Sequence, residues 1–566
     1  MNHGRISFKG GGLTDQTDRP DQDKVERYKK QVEERKAAEA EKYKTDDPVK
    51  EILPWFIRDC LNANEFGDGM LFKELYRGKF LYNKAMACWM IWNGHHWEID
   101  YMDAALAAVE GVVAEYQKEF NRVDIEIKKM DEKDPALGYM KSVRKSIKSR
   151  INALRGKSRR QNCLLFAHTT DDPVAIQGDE IDNQPWLLPC PNGVVDLKTG
   201  IFRGGRPDDY LLKACRVKWA GIDAPRDAWE SALMQIYDDD AAVVGFMQRL
   251  CGCALVGAVI EHIFAVLIGK RGRNGKGSIF MGMLLHVLGQ LAAPITPEML
   301  LAQATKGSSS GPTPDIMSLR GLRFAFATET DEHARFSAAR VKWFSGGEEL
   351  TGRNPHDKYP TTFKPTHTLF LLTNYEPHAP ADDDAFWERI LQIPHNISFV
   401  NRDPKEPHER KADLYLAEKL KAQAPGILAW IVEGCLLWQK DGLDPPPEIL
   451  AAKQKYRRRE DVLLDFLDEC CLTEKESTGG ASHLFTVFEV WWKINVSKHA
   501  PKQKSFGNLM GKKFEKDKIG GVYRYYGVRL KDHLQAYLDQ NKAIKEIELE
   551  TLIRYGPNQD DQDHLI

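Results

Sequence analysis

Three stretches of the chain each hold an apolar run of strand length: "HIFAVLI" (His262–Ile268), "LRFAFAT" (Leu322–Thr328) and "THTLFLLT" (Thr366–Thr373). Such runs predict strands covered on both faces, as in a parallel sheet between helices. Gly277–Gly289, "GSIFMGMLLHVLG", predicts an apolar helix directly after the first of them. Upstream, "YNKAMACWMIWNGHHWEID" reads as two short strands around the Asn93-Gly94 turn, and residues 104–161 have helical period. "QPWLLPCPNGVVDLKTGIFRGG" predicts two more strands divided by turn signals. Downstream come a helix through "LAWIVEGCLLWQ", a break at "DPPPE", an aromatic-rich helix "HLFTVFEVWWKINV", a basic helix "KQKSFGNLMGKKFEKDK" and a hairpin pattern "GGVYRYYGVRL".

At 566 residues the chain is too long for one core. The pattern divides it into a polar leader (1–48), a mixed α/β domain (49–223), a β/α block (224–400), a helical extension (401–455), a small C-terminal domain (456–532) and a charged tail (533–566). The leader carries i,i+4 pairs such as Glu26 with Lys30. Net charge is −2, so nucleic acid could be engaged only through local surfaces. One such surface is "KSVRKSIKSRINALRGKSRR", with nine basic residues and no acid, which fits either a solvated helix face or a phosphate-tracking one. Ten irregularly spaced cysteines, with Cys251 and Cys253 as an isolated C-x-C, read as reduced thiols. No run of eighteen apolar residues and no signal-peptide pattern occurs, so a soluble intracellular protein without membrane contact is expected.

The chemistry sits where the first apolar strand meets its helix, in "GKRGRNGKGS". Backbone N–H groups of a glycine-rich turn and a helix N-terminus cradle phosphates, and Lys276 can reach the β and γ phosphates. Gly269, Gly272, Asn274, Gly275, Lys276, Gly277 and Ser278 form this candidate loop. Its spacing departs from the strict motif: the first glycine is displaced by one residue, and Gly277 delays the hydroxyl to Ser278. The second apolar strand ends at Glu329, with Asp331 close behind, and the third at Asn374. Each has a plain structural alternative, as a helix-starting acid and a turn former. In a parallel sheet, however, all three would gather beyond the carboxyl ends of the strands, where an acid can hold Mg²⁺ or orient water and an amide can position that water. Arg389, in "DDDAFWERILQIPH", fits either an arginine ion-paired within Asp382 to Asp384 or an arginine finger.

The order of these parts resembles the superfamily 3 helicase domain of phage and plasmid primase-helicases, relatives of the poxvirus primase-helicase. "GRNGKGS", "FAFATE", "VKWFSGGEELTGRNPHDKYPTTFKPTHTLFLLTN" and "AFWERILQIP" carry it, and flanking segments extend it over about residues 50–530. The resemblance implies an α/β multidomain protein: an AAA+-like P-loop NTPase core behind a mixed α/β domain, and a homo-oligomeric ring, a hexamer, with ATP and Mg²⁺ between subunits. Lys276 and Ser278 would belong to Walker A, Glu329 to Walker B, Asn374 to sensor 1 and Arg389 to the finger, with Ser278 and Glu329 toward the metal. "KWFSGGEELTGRNPHDK" would carry a hairpin into the ring channel, making Lys342, Arg353, His356 and Lys358 contacts for DNA. Ala338 and Ala339 stand where relatives often have an acid, and Glu388 where an arginine often precedes the finger. The chain lacks the pattern of a primase module, so a separate primase is expected as a partner.

Helix, basic helix and hairpin at the C-terminus follow the order of a winged helix, with Lys504, Lys512, Lys513, Arg524 and Arg529 as DNA contacts. The function expected is an ATP-dependent DNA helicase of phage or plasmid replication in a bacterial cytoplasm, acting on single-stranded and duplex DNA. The competing expectation is an origin-recognition or loader protein in which ATP only switches conformation.

Overall fold

The computed structural model of the protein describes residues 52–303, 311–331, 334–355, 357–541 and 544–556. These fall into two compact units: residues up to 75 with 106–173, and residues 76–105 with 174 onward. The expected 1–48 leader lies outside the described residues.

The first unit is helical, with helices Pro54–Asn62, Asn64–Tyr76, Ala104–Lys129, Leu137–Leu154 and Lys157–Ala167. Its buried polar centre is the Asp68 carboxylate, which accepts from Arg150 Nη1 (2.6 Å), Arg159 Nε (2.8 Å) and the Tyr116 hydroxyl (3.0 Å). Three donors on one buried carboxylate satisfy a charge that would otherwise be costly to bury.

The second unit opens with strands β1 (Phe80–Asn83), β2 (Cys88–Trp92), β3 (Trp97–Ile99) and β4 (Ala175–Ile176), in sheet order β3-β2-β1-β4. Strands β5 (Leu187–Cys190), β6 (Gly193–Asp196) and β7 (Phe202–Arg203) make a second small sheet. The single mixed domain expected over 49–223 is thereby corrected. Its helices form one unit, while its strands fold with the rest of the chain, because β1 pairs with β4 across the helical insertion.

Next come helices Asp227–Ile236 and Ala241–Leu255, then β8 (Phe264–Ile268), β9 (Ala292–Ile295), β10 (Phe324–Thr328), the hairpin strands β11 (Leu350–Gly352) and β12 (Thr361–Phe363), β13 (Thr368–Thr373) and β14 (Ile390–Pro394). Five of these form an all-parallel sheet in the order β14-β8-β13-β10-β9. Alternate residues enter two different cores. Ala265, Leu267, Phe324, Phe326, Phe370 and Leu372 pack on one face; Phe264, Val266, Ala325, Ala327, Leu369 and Leu371 pack on the other. Both faces are covered, which is why the strands read as unbroken apolar runs.

Beyond β15 (Ser398–Val400) and β16 (Glu409–Lys411), the helix Ala424–Asp441 crosses Ala241–Leu255 at a close glycine contact. A Cβ on Gly252 would overlap the backbone of Gly434 and Cys435, and one on Gly434 that of Gln248. The expected helical extension is therefore part of the same core as the sheet, with Trp430, Ile431 and Cys435 buried in it. No single helix among the described residues is long and apolar enough to cross a membrane.

Helices Pro447–Glu460 and Val462–Cys470 lead to β17 (Cys471–Leu472), β18 (Thr478–Gly480), helices Ala481–Asn495 and Gln503–Lys513, and strands β19 (Lys516–Ile519), β20 (Val522–Tyr526) and β21 (Arg529–Leu530). Helices Asp532–Gln540 and Glu546–Tyr555 complete this region. Leu534, Leu538 and Leu549 enter its core, so the charged helices of residues 532–555 pack through one apolar face.

Candidate functional site

In the parallel sheet the chain leaves β8 toward β9 on one side and leaves β13 toward β14 on the other. Connections diverging from adjacent strands open a crevice beyond their carboxyl ends, the usual ligand position in open α/β sheets. Lys276 and Asn374 meet there: Lys276 Nζ donates to Asn374 Oδ1 at 2.6 Å and to the Gly269 carbonyl at 3.4 Å. The Lys276 ammonium is buried, and burial lowers its pKa while Glu329 pulls it back up. The sheet thus gathers the expected loop, acid and amide at one edge.

The loop is held from three sides. The Gly269 amide donates to the Thr373 carbonyl (3.2 Å), extending the β8–β13 ladder by one residue. Asn274, buried, donates through Nδ2 to the Arg271 carbonyl (2.7 Å). Ser398 Oγ donates to the Gly272 carbonyl (3.1 Å), and the Phe399 amide to that of Arg273 (2.8 Å). Gly275 has φ of +79°, and a Cβ there would lie 2.7 Å from Ile236 Cδ1. At Gly272 and Gly277, by contrast, a Cβ would meet nothing within 4 Å, so the backbone is open to an approaching ligand.

The delayed hydroxyl has a structural counterpart. Lys276–Met281 is a π-helical turn, with the Phe280 amide donating to the Gly275 carbonyl at 2.9 Å, ahead of the α-helix Gly282–Leu288. An i→i+5 turn absorbs one extra residue, and such bulges often mark functional sites. Gly277 is that extra residue by the sequence spacing.

Glu329 stands at the end of β10, exposed, with φ of +58° and its amide donating to the Leu372 carbonyl (3.0 Å). A left-handed glutamate is uncommon and is seen where surrounding structure over-determines the backbone, often at sites. Sequence reasoning missed what holds it. The hydroxyls of Thr330 and Thr373, the residues beside Glu329 and Asn374, lie 2.8 Å apart and tie the ends of β10 and β13 together. It also missed buried His395, whose amide donates to the Ile268 carbonyl (2.6 Å) and whose ring Nε2 lies 3.3 Å from the Tyr237 hydroxyl. The threonine ending "LLT" was the available signal for the first; none marked the second.

The donors are of a kind that suits phosphate with a hard cation. Glycines open to approach, a buried ammonium bonded to exchangeable acceptors, and the hard oxygens of Ser278 and Glu329 suit phosphate and Mg²⁺. Among the described residues no cluster of three or more His, Cys, Asp or Glu could hold a metal alone, so phosphate oxygens and water would supply most ligands.

Arg389 ends the helix Asp384–Arg389. Its Nη1 donates to the Ala385 carbonyl (2.6 Å), its Nε is buried without a partner, and it forms no ion pair among the described residues. The preceding aspartates are engaged elsewhere: Asp382 with Lys512, Asp383 with Lys342 (2.7 Å) and Asp384 with Arg457. Asp383 still feels the Arg389 charge, which together with Lys342 holds its carboxyl below the ordinary value. Lys342, expected to face DNA, is held against the helix that Asp383 caps.

Strands β11 and β12 form the expected hairpin, with Arg353 and Lys358 between them. The Arg353 amide donates to Thr313 Oγ1 (3.1 Å), and exposed Lys358 lies 5.2 Å from the ring of exposed Tyr359. His356 lies outside the described residues. In the C-terminal region Lys513 pairs with Asp461 (2.7 Å) and Arg529 with Asp532, while Lys504 and Arg524 are exposed.

Residues 69–237 match the family described as D5 N terminal like. Among curated proteins, "Putative helicase L207/L206" of Acanthamoeba polyphaga mimivirus is 27% identical over 496 residues, covering 82% of this chain and 50% of that protein. "Putative helicase 022R" of Frog virus 3 (isolate Goorha) is 23% identical over 406 residues, covering 59% and 41%. The chain spans about half the length, or less, of these relatives. Among solved structures, the apo NrS-1 C terminal region covers 85% of this chain and all of its own, at 14% identity and a TM-score of 0.42. Over residues 69–237 the chain is thus similar to D5 N terminal like proteins, and over much of its length to viral proteins named as putative helicases.

Proposed function

We propose that the chain is the ATP-hydrolysing subunit of a ring-shaped superfamily 3 DNA helicase, a hexamer acting in DNA replication. The observation that carries this is the bond between Lys276 Nζ and Asn374 Oδ1 at the switch point of a parallel sheet, with Glu329 ending the next strand. The helicase names of the viral relatives support it independently.

Lys276 would exchange the Asn374 and Gly269 oxygens for phosphate oxygens, freeing the Asn374 amide to orient water. Glu329 would polarise that water as its oxygen bonds to the γ-phosphorus and the β–γ bridging oxygen departs. Mg²⁺ bound with the nucleotide would neutralise charge on the phosphate oxygens, with Ser278 and Glu329 toward it. Arg389, which forms no ion pair among the described residues, would serve the crevice of a neighbouring subunit. The β11–β12 hairpin would grip the translocated strand. The helices Ala481–Asn495 and Gln503–Lys513, followed by the β19–β20 hairpin, have the order of a winged helix and would bind duplex.

Strand-displacement and ATP-turnover assays with and without single-stranded DNA test the reading. Turnover stimulated by single strands, with unwinding, is the expected result. Nucleotide affinity without turnover would instead mark a loader.

A further inference from the structure

The helix Leu137–Leu154 in the first unit has two unlike faces. Met140, Ile147, Ile151 and Leu154 are buried, whereas Lys141, Lys145 and Lys148 are exposed at i, i+4 and i+7, with Arg155 one step beyond the helix end. Those spacings line one face, and Lys141 to Arg155 extends about 21 Å at 1.5 Å per residue. The acids of the Ala104–Lys129 helix on this side are already shared. Asp124 pairs with Lys128 (2.8 Å) and Arg144 (2.7 Å), and Glu110 with Arg160 and Arg155 (3.8 Å). Lys141, Lys145 and Lys148 have no carboxylate partner among the described residues. Like charges at i,i+4 repel and destabilise a helix, so a row left unneutralised within the unit has a use for counter-charge from outside.

We infer that this face binds the backbone of duplex DNA, without sequence preference and without nucleotide. The occupant follows from the chemistry. Surfaces for single strands combine a basic groove with aromatic rings on which bases stack, whereas this is a convex helix whose row holds basic side chains and no aromatic ring. Duplex DNA carries one charge per roughly 1.7 Å of axis, so a basic row about 21 Å long can meet several phosphates on its backbones. The surface uses neither the nucleotide crevice nor the β11–β12 hairpin, so the inference does not rest on the proposed motor.

The test is equilibrium binding of the full chain to a short random-sequence duplex across a salt series, without nucleotide. Replacing all three residues (K141A, K145A and K148A together) should make the dependence of log K on log salt shallower by roughly 2.7, from three contacts at about 0.9 each, and lower affinity roughly tenfold or more at physiological salt. The matching arginine variant should keep both, and ATP turnover without DNA should be unchanged. K148E alone should weaken duplex binding in the same direction. An unchanged salt slope, a loss confined to single strands, or wild-type duplex affinity in K148E would overturn the inference.

Discussion

The Lys276 ammonium donates to Asn374 Oδ1 across 2.6 Å, joining the ends of two adjacent parallel strands. Asn374 seats the lysine, and in the proposed mechanism its amide also positions the attacking water. Asn374→Ala is therefore expected to lower kcat roughly 10²–10³-fold, the range seen when one positioned donor is removed from an active site, with a smaller change in KM. Steady-state ATP hydrolysis measures it. A rise in KM with kcat unchanged would assign Asn374 to binding alone.

Two glycines of the loop should respond oppositely to alanine. Gly275→Ala forces a left-handed residue, at about 1–2 kcal/mol, and adds a methyl against Ile236. It should weaken nucleotide binding by roughly tenfold or more. Gly277→Ala meets open space and should leave the melting temperature unchanged. Calorimetric titration with a non-hydrolysable analogue, alongside thermal melts, separates the two.

Much of this site was legible because its parts are local. A strand covered on both faces needs consecutive apolar residues, so β8, β10 and β13 stand out, and the chemistry follows their last residues. What was hidden depends on partners far apart in sequence. No period announces that Gly252 will meet Gly434, or that Thr330 will meet Thr373. The split of the N-terminal region was masked because β4 returns to β1 only after the whole helical insertion. At the C-terminus Leu534, Leu538 and Leu549 supply a sparse buried face beneath a polar exterior.

The clasp between Lys512 and Asp382 sets the basic helix against the acidic run preceding Arg389. If Lys512 and Lys513 contact duplex phosphates, Asp382→Asn should raise duplex affinity by freeing Lys512, while K512A with K513A should lower it and flatten the salt dependence by roughly two counterions. Lys358→Ala should instead weaken single-strand binding and unwinding. Fluorescence anisotropy on both substrates reads all three. Unchanged single-strand affinity and unwinding in the Lys358 variant would reduce the hairpin to a surface turn.

Burial holds the His395 imidazole down to about 4, against an ordinary value of 6.5. The unfolded chain binds that proton near 6.5 and the folded chain only near 4, so stability is full above pH 6.5 and falls as pH drops toward 4. Between pH 7 and 5 the loss from this group is about 2 kcal/mol. Urea midpoints at the two pH values should therefore differ less in His395→Phe than in the wild type. An equal difference would mean that His395 is not the group responsible.

The buried, unpartnered Nε of Arg389 and the position of Glu329 at a strand end predict a shared site. Arg389→Ala and Glu329→Gln should each be nearly inactive alone and recover part of their ATPase when mixed, because some interfaces then pair an intact arginine with an intact acid. Absence of recovery in rings shown to be mixed would place the arginine in cis.

The most direct test of the central claim is ATP turnover stimulated by single-stranded DNA in the wild type and in Lys276→Ala. Measurable stimulated turnover is expected in the first and its loss in the second, with the fold intact by circular dichroism, because Lys276 is a buried cation of the crevice. Retention of most of the wild-type rate by Lys276→Ala would contradict it.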